Sequence, residues 1–530
     1  MSIYLSTARE IRLNNENLLN NSASVITFFI FILLVFLGSI NKTYAAESCE
    51  SPVAQIVSIQ GSIEVRRVNE SSWRQAAMNA TLCAGDMIRA RSHSRGALRL
   101  SNESMLRLDQ RTAITFPQSE ENKKTSLLDL FSGAIHIITR TPKPFKVRTP
   151  FLNAAVDGTE FFVGVDEDST SLVIYEGQVT ASNDQGSLVL VDHEAAIATK
   201  DQPPQKEVVI NLVDAVQWAL HYPTIIDYWS RTDMNDEQSV RSLIAKAAYL
   251  LSIGRVDEAN AVIAQVQMLD SNNSDAYALR AMIALVKIDK ARALKMALRA
   301  VELEETSAVA RLALSYAQQA HFEIEEALAS VQQAAKLDPQ NALIWARLAE
   351  LQMSDDEDHL AMEAAQKAVN LNPEIARTQT VLGFAHLLEI DTDEAKLNFA
   401  EAIRLDQGDP MPRLGMGLAL IREGALEAGR IELEIAASLD PANSIIRSYL
   451  GKAYFEEKRY PLASTQFDMA KERDPNDPTP WFYDAIQKQT QNRPIEALRD
   501  IQKSIELNEN RAVYRSRLLL DQDEAARGSS

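Results

Sequence analysis

The chain has 530 residues, 46% of them hydrophobic, and a formal net charge of −19 with a pI near 5.0. Its length suggests about three domains, with ample apolar material for packed cores. The acidic balance excludes a nucleic-acid footprint, which needs a basic face, and favours a soluble protein that stays away from anionic surfaces.

Met1 to Ser24 is polar and asparagine-rich, with Arg9 and Arg12 as its basic side chains. Val25 to Ile40 is then an almost unbroken apolar run, followed by small residues at Ala45 and Ala46. This three-part pattern predicts an export signal over residues 1–46. The run is short for a bilayer span of about 20 residues, which favours cleavage over a retained anchor. Lipid attachment at Cys49 is a third reading, opposed by the poor lipoprotein signal Ala46-Glu47-Ser48. Each of them places the remaining chain outside the cytoplasm.

From residue 52 to 203 short alternating runs such as Ile63-Glu64-Val65 and Leu98-Arg99-Leu100 are separated by polar turns, which predicts an all-β domain. Gly61, Gly133 and Gly177 are each followed by a small or polar residue and then a β-former, which suits tight turns that open a strand. Within this segment Phe145-Lys146-Val147-Arg148-Thr149-Pro150 leads into Ala155-Val156-Asp157-Gly158-Thr159-Glu160-Phe161. Leu172-Val173-Ile174-Tyr175-Glu176-Gly177-Gln178-Val179 follows. This stretch resembles the periplasmic domain of the FecR family, with Asp157 where that family's motif carries arginine. Trp73 and Leu82-Cys83-Ala84-Gly85-Asp86 fit the family's first half. The resemblance implies a β-sandwich and an envelope location. Its best-known members are sensors that link an outer-membrane transporter to a sigma factor through a cytoplasmic region. The 24 residues before the apolar run are too few to fold as such a region.

The two cysteines, Cys49 and Cys83, most simply pair with each other in an oxidising compartment, two free thiols being the alternative. Residues 204–239 read as a linker and capping helix. Its aromatic residues Trp218, Tyr222, Tyr228 and Trp229 flank Pro223, a composition that suits the end of a repeat array or a domain joint.

From Ala259, every thirty-fourth residue is small: Ala293, Ala327, Ala361, Ala395, Gly429, Ala463 and Ala497. Two further ladders run in register, one through Gly383, Gly417 and Gly451, the other through Ala402, Ala436 and Ala470. Small residues at fixed places mark close helix packing, and turns such as Leu439-Asp440-Pro441 end the units. The period and pattern resemble the tetratricopeptide repeat, a helical hairpin of 34 residues, with eight units over 240–511. Residues 512–530 start a further helical pattern, and its abrupt stop raises the expectation of a truncated chain.

The fold class expected is therefore multidomain: an all-β FecR-like sandwich followed by an all-α solenoid of eight hairpins. No phosphate loop, zinc-binding His-Glu-x-x-His or nucleophile elbow occurs, and the seven histidines lack metal-ligand spacing. Asp166-Glu167-Asp168 reads as a solvated hairpin turn rather than a calcium site. No catalytic residue, cofactor or metal is expected, and no small-molecule substrate.

In the repeat family the first helix of each hairpin lines a concave groove. That places Phe384, Leu387, Leu414, Leu418, Ile421 and Phe455 there as an apolar stripe, which would mark a partner site. The alternative is that they pack between neighbouring helices. The leading reading is a non-catalytic protein of the periplasm or outer-membrane surface that holds a protein or peptide in this groove. Periplasmic signalling is the alternative, and a cell-wall enzyme with accessory repeats is the third.

Overall fold

The structure is a computed structural model and describes residues 49, 51–117, 126–139, 145–156, 158–208, 212–227, 239–355 and 357–507. The expected export signal and the segment 512–530 lie outside these residues, as do Asp157, Tyr228 and Trp229.

Strands run from Ala54–Gln60 to Gln205–Glu207. The last one lies past Pro203, in what composition reads as linker, because it pairs with Ala195–Thr199 at a sheet edge. Two mostly antiparallel sheets form. The first runs through Ala54–Gln60, Arg95–Leu100, Met105–Leu108, Ser126–Ile138, Glu160–Val165, Ser169–Glu176, Ala195–Thr199 and Gln205–Glu207. The long strand Ser126–Ile138 belongs to both sheets. Its first half pairs in parallel with Phe145–Arg148, and its second half pairs with Glu160–Val165. The change falls at Gly133, whose φ is +80° and where a Cβ would lie 2.5 Å from the Thr112 Cα, so only glycine fits. Alternate residues such as Ile56, Leu98, Ile135, Phe161 and Ile174 fill the sandwich core between the sheets.

The opposite face of the first sheet is buried as well. All four residues of Met105–Leu108 and all six of Glu160–Val165 are buried, as in sheets covered on both sides.

The helical part contains eight hairpins among the described residues. Their first helices are Val240–Ser252, Ser274–Val286, Ala308–Ala320, Ala342–Ser354, Ala376–Leu388, Met411–Arg422, Ser444–Glu456 and Pro478–Thr490. The second helices run from Val256–Leu269 to Pro494–Glu506. Ladder residues sit where helices touch. A Cβ on Gly451 would lie 2.5 Å from the Phe467 ring, and one on Gly383 2.7 Å from Phe399. Ala463 is fully buried.

A second periodic device sets the helix starts. Ser239, Asn273, Ser307, Asn341, Asn443 and Asp477 stand 34 residues or a multiple apart, and each caps the helix that follows by accepting from its first-turn amides. Ile375 interrupts this series without a capping side chain.

Candidate functional site: the channel of the solenoid

The first helices of successive hairpins, together with the turns between repeats, line a continuous cavity of about 290 Å³. Its walls come from repeats 2 to 7 and the turn that leads into repeat 8, and Leu220, His221 and Pro223 of the connector close one side. The connector is held there by its neighbours. Leu220, Tyr222, Ile225 and Ile226 are buried as part of the continuous apolar core of the solenoid. Trp218 and Ala219, just before them, pack on Phe162, Val173 and Tyr175 of the first sheet. Trp218 and Tyr222 are thus packing residues at a domain joint.

The polar centre of the channel is built by repeats 3 to 5. The Arg377 guanidinium donates to Glu350 at 2.6 and 2.7 Å. Arg347 donates to the same carboxylate at 3.1 Å, and its guanidinium lies 3.9 Å from the centre of the Tyr316 ring. Burial pulls the Arg347 pKa down. Burial opposes the charge of Arg377 too, but the carboxylate charge of Glu350 and its hydrogen bonds outweigh it and raise its pKa, so it remains a cation. Around this pair stand Met353, Val381 and Phe384, and towards repeats 6 and 7 Met411 and Ile445. The channel therefore offers apolar walls around a fixed ion cluster in which two guanidinium groups share one carboxylate, leaving a net positive charge.

The six residues expected as an apolar stripe divide. Leu387 and Leu414 are buried, as are Phe384 and Leu418, while Ile421 and Phe455 are half-buried. They do not form an exposed stripe, and this corrects the expectation. Phe384 packs edge-on against Phe399 of the same hairpin, ring centres 5.0 Å apart. Leu414 is wholly enclosed. The second helices contribute this cover: the Phe399 ring lies against Phe384 and also against Gly415, beside Leu414, on the next first helix. Phe384 still borders the main channel. Leu387, Leu418 and Ile421 line a second cavity of about 240 Å³ beside Tyr449 and Lys452.

Asp166, Glu167 and Asp168 are exposed in a hairpin turn, and no group of residues that could hold a metal ion occurs among the described residues. Both Cys49 and Cys83 are disulfide-bonded. No helix among the described residues is long and apolar enough to cross a membrane.

Sequence reasoning missed the contact between sheet and solenoid. Glu160, which the sequence presents only as part of the family-like motif, is buried. Its Oε1 accepts from Arg447 of repeat 7 at 2.7 Å and lies 3.2 Å from His136 Nε2. Burial holds the His136 imidazole below its ordinary pKa, so it is neutral at pH 7. Around it Val57, Ala97, Met105 and Ile138 pack on Ile435 and Leu439 of repeat 6.

Residues 86–180 match the family model described as FecR protein. No curated protein matches the chain. Among solved structures, it is similar to one of the APC/C hetero-tetramer Cut9–Hcn1 (20% identity, TM-score 0.44), over 55% of this chain and 57% of that one. It is also similar to PilF of Pseudomonas aeruginosa (21% identity, TM-score 0.31), over 41% of this chain and 97% of that one. A third is a tetratricopeptide repeat protein from Parabacteroides merdae (16% identity, TM-score 0.34), over 46% of this chain and 98% of that one. The chain spans 57% of the length of the first of these. The matched segment and the hairpins described above define the class: a FecR-type β domain followed by a tetratricopeptide array.

Proposed function

We propose that this is a non-catalytic protein of the cell envelope that holds a segment of a protein partner in the channel of its repeat array. The observation that carries this reading is the channel itself, which combines apolar walls with polar groups and is built by many successive repeats. Solenoids bind along such inner surfaces. The FecR-type domain supports a signalling or protein-binding role, and the disulfide-bonded cysteines and the apolar run Val25 to Ile40 support an oxidising compartment outside the cytoplasm. The acidic net charge argues against nucleic acid as the partner.

The test is photocrosslinking in cells. A crosslinking residue placed at Val286 or Met411, both half-buried in the channel wall, should capture a protein adduct. The same residue at Leu397, exposed on the second helix of repeat 5, should not. Capture at Leu397 alone would move the partner site off the channel.

A further inference from the structure

Arg95, on the first sheet, is buried and donates through Nη2 to the carbonyl of Ser252, the last residue of the first helix of repeat 1, at 3.1 Å. Through Nε it donates to Gln60 Oε1 at 2.9 Å. Gln60 Nε2 in turn donates to Asp406, at the end of repeat 5, at 2.9 Å. Two side chains of the sheet thus join points four repeats apart along the solenoid.

The same sheet grips both regions further. On the repeat 1 side, Asp109 pairs with Arg255 and His93 with Glu258. Across the sheet, the Ser58 hydroxyl donates to the Gln407 carbonyl at 2.7 Å, and Arg413 donates to the Val57 carbonyl at 2.9 Å. Glu160 holds Arg447, Glu103 holds Arg459 at 2.8 Å, and His193 faces Glu472 at 2.9 Å.

In a solenoid each repeat packs on its neighbours, so the separation of distant repeats is set only by small rotations accumulated between them. An outside element that touches repeat 1 and repeats 5 to 7 at once removes that freedom. We infer that the first sheet of the β domain is a clasp: it fixes the separation of repeat 1 from repeats 5 to 7, and so holds the channel at one width. Two glycines mark the places where it closes. At Gly254, with φ +73°, a Cβ would lie 2.4 Å from the Trp218 carbonyl oxygen. At Gly408 a Cβ would lie 1.8 Å from Gln60 Nε2. The inference does not depend on any partner in the channel, because its readout is a distance within the chain.

The experiment uses the full-length chain with nitroxide labels on Gln265→Cys in repeat 1 and Asp468→Cys in repeat 7, both exposed. The native cysteines are disulfide-bonded and take no label. Pulsed dipolar spectroscopy should give one narrow distance. The variant Gln60→Ala, Ser58→Ala, Glu103→Gln, Glu160→Gln, Arg413→Gln, Arg447→Gln removes the ties to repeats 5 to 7 named above except the exposed His193–Glu472 pair, without leaving a lone carboxylate or guanidinium at the Glu160–Arg447 contact, and should widen the distribution about twofold or more. Should this variant fail to fold, Ile435→Asp breaks the apolar part of the same contact and carries the same expectation. A broad distribution in the unaltered chain, or an unchanged narrow one in a folded variant, overturns the clasp.

Discussion

Asp477 is fully buried at the start of the first helix of repeat 8, where it accepts from the Thr479 amide at 2.9 Å and from the Ser444 hydroxyl at 3.0 Å. Burial pushes its carboxyl up to about 6 in spite of these donors. The folded chain therefore holds this proton more tightly than the unfolded one. The resulting stability is fully present below about pH 4, the ordinary carboxylate range, and is lost as pH rises through about 6. Asp477→Asn keeps a capping side chain and should abolish this pH dependence. At pH 7.5 the variant should gain up to about 3 kcal/mol in local stability, read from hydrogen exchange of repeat 8 at pH 4.5 and 7.5. Equal pH dependence in both proteins would remove Asp477 as its source. Phe384 makes the opposite case. Because it packs on Phe399, Phe384→Ser should lower the melting temperature, at a cost of about 3–5 kcal/mol. A variant that melts normally would return Phe384 to the exposed stripe. For the cysteines, non-reducing peptide mapping should find Cys49 joined to Cys83. The closed loop of about 35 residues would contribute on the order of 3–4 kcal/mol by chain entropy, and alkylation of either thiol in unreduced protein would rule the bridge out.

Among the elements, the helical hairpins were the most legible, because close packing restricts residue type at every crossing and repeats that restriction with the period of the fold. Ala463→Leu tests this directly. Overpacking the fully buried contact between the helices of repeat 7 should cost about 1–3 kcal/mol. Since repeats pack on neighbours, hydrogen exchange should quicken in repeats 6 to 8 and stay unchanged in repeats 2 and 3. The β-strands were legible as strands but not as a doubly covered sheet. Met105–Leu108 and Glu160–Val165 lack the polar alternation of a half-exposed strand. Arg107 and Glu160 conceal that signal, because a charged residue normally marks a solvent face. Here Glu160 is neutralised by Arg447, which local pattern cannot connect to it. The groove failed for a related reason. Position within a repeat says which way a side chain leaves its helix, while large side chains of the neighbouring second helices, such as Phe399, decide whether it is covered.

At the scale of the whole chain, the buried outer face of the first sheet makes the β domain and the solenoid depend on each other. Val57, Ala97, Met105 and Ile138 lose their cover without repeat 6, and Phe162, Val173 and Tyr175 lose theirs without the connector. Exposed together they would form an apolar patch of the kind that soluble monomers avoid. With them the polar ends of Arg95, Glu160 and His136 would return to water, so the contact combines apolar burial with polar groups that suit only this pairing. The β domain expressed alone as residues 51–208 should therefore fold poorly or self-associate, whereas the full chain sediments as one discrete species. In calorimetry the full chain should show sheet and solenoid unfolding in one main transition, because each half stabilises the surface that the other covers. Ile435→Asp should split that transition in two, the β domain melting first. A monomeric, stable 51–208 fragment with the melting temperature it has in the full chain would mean that the sheet face is covered without being stabilised, and that the two domains are only neighbours.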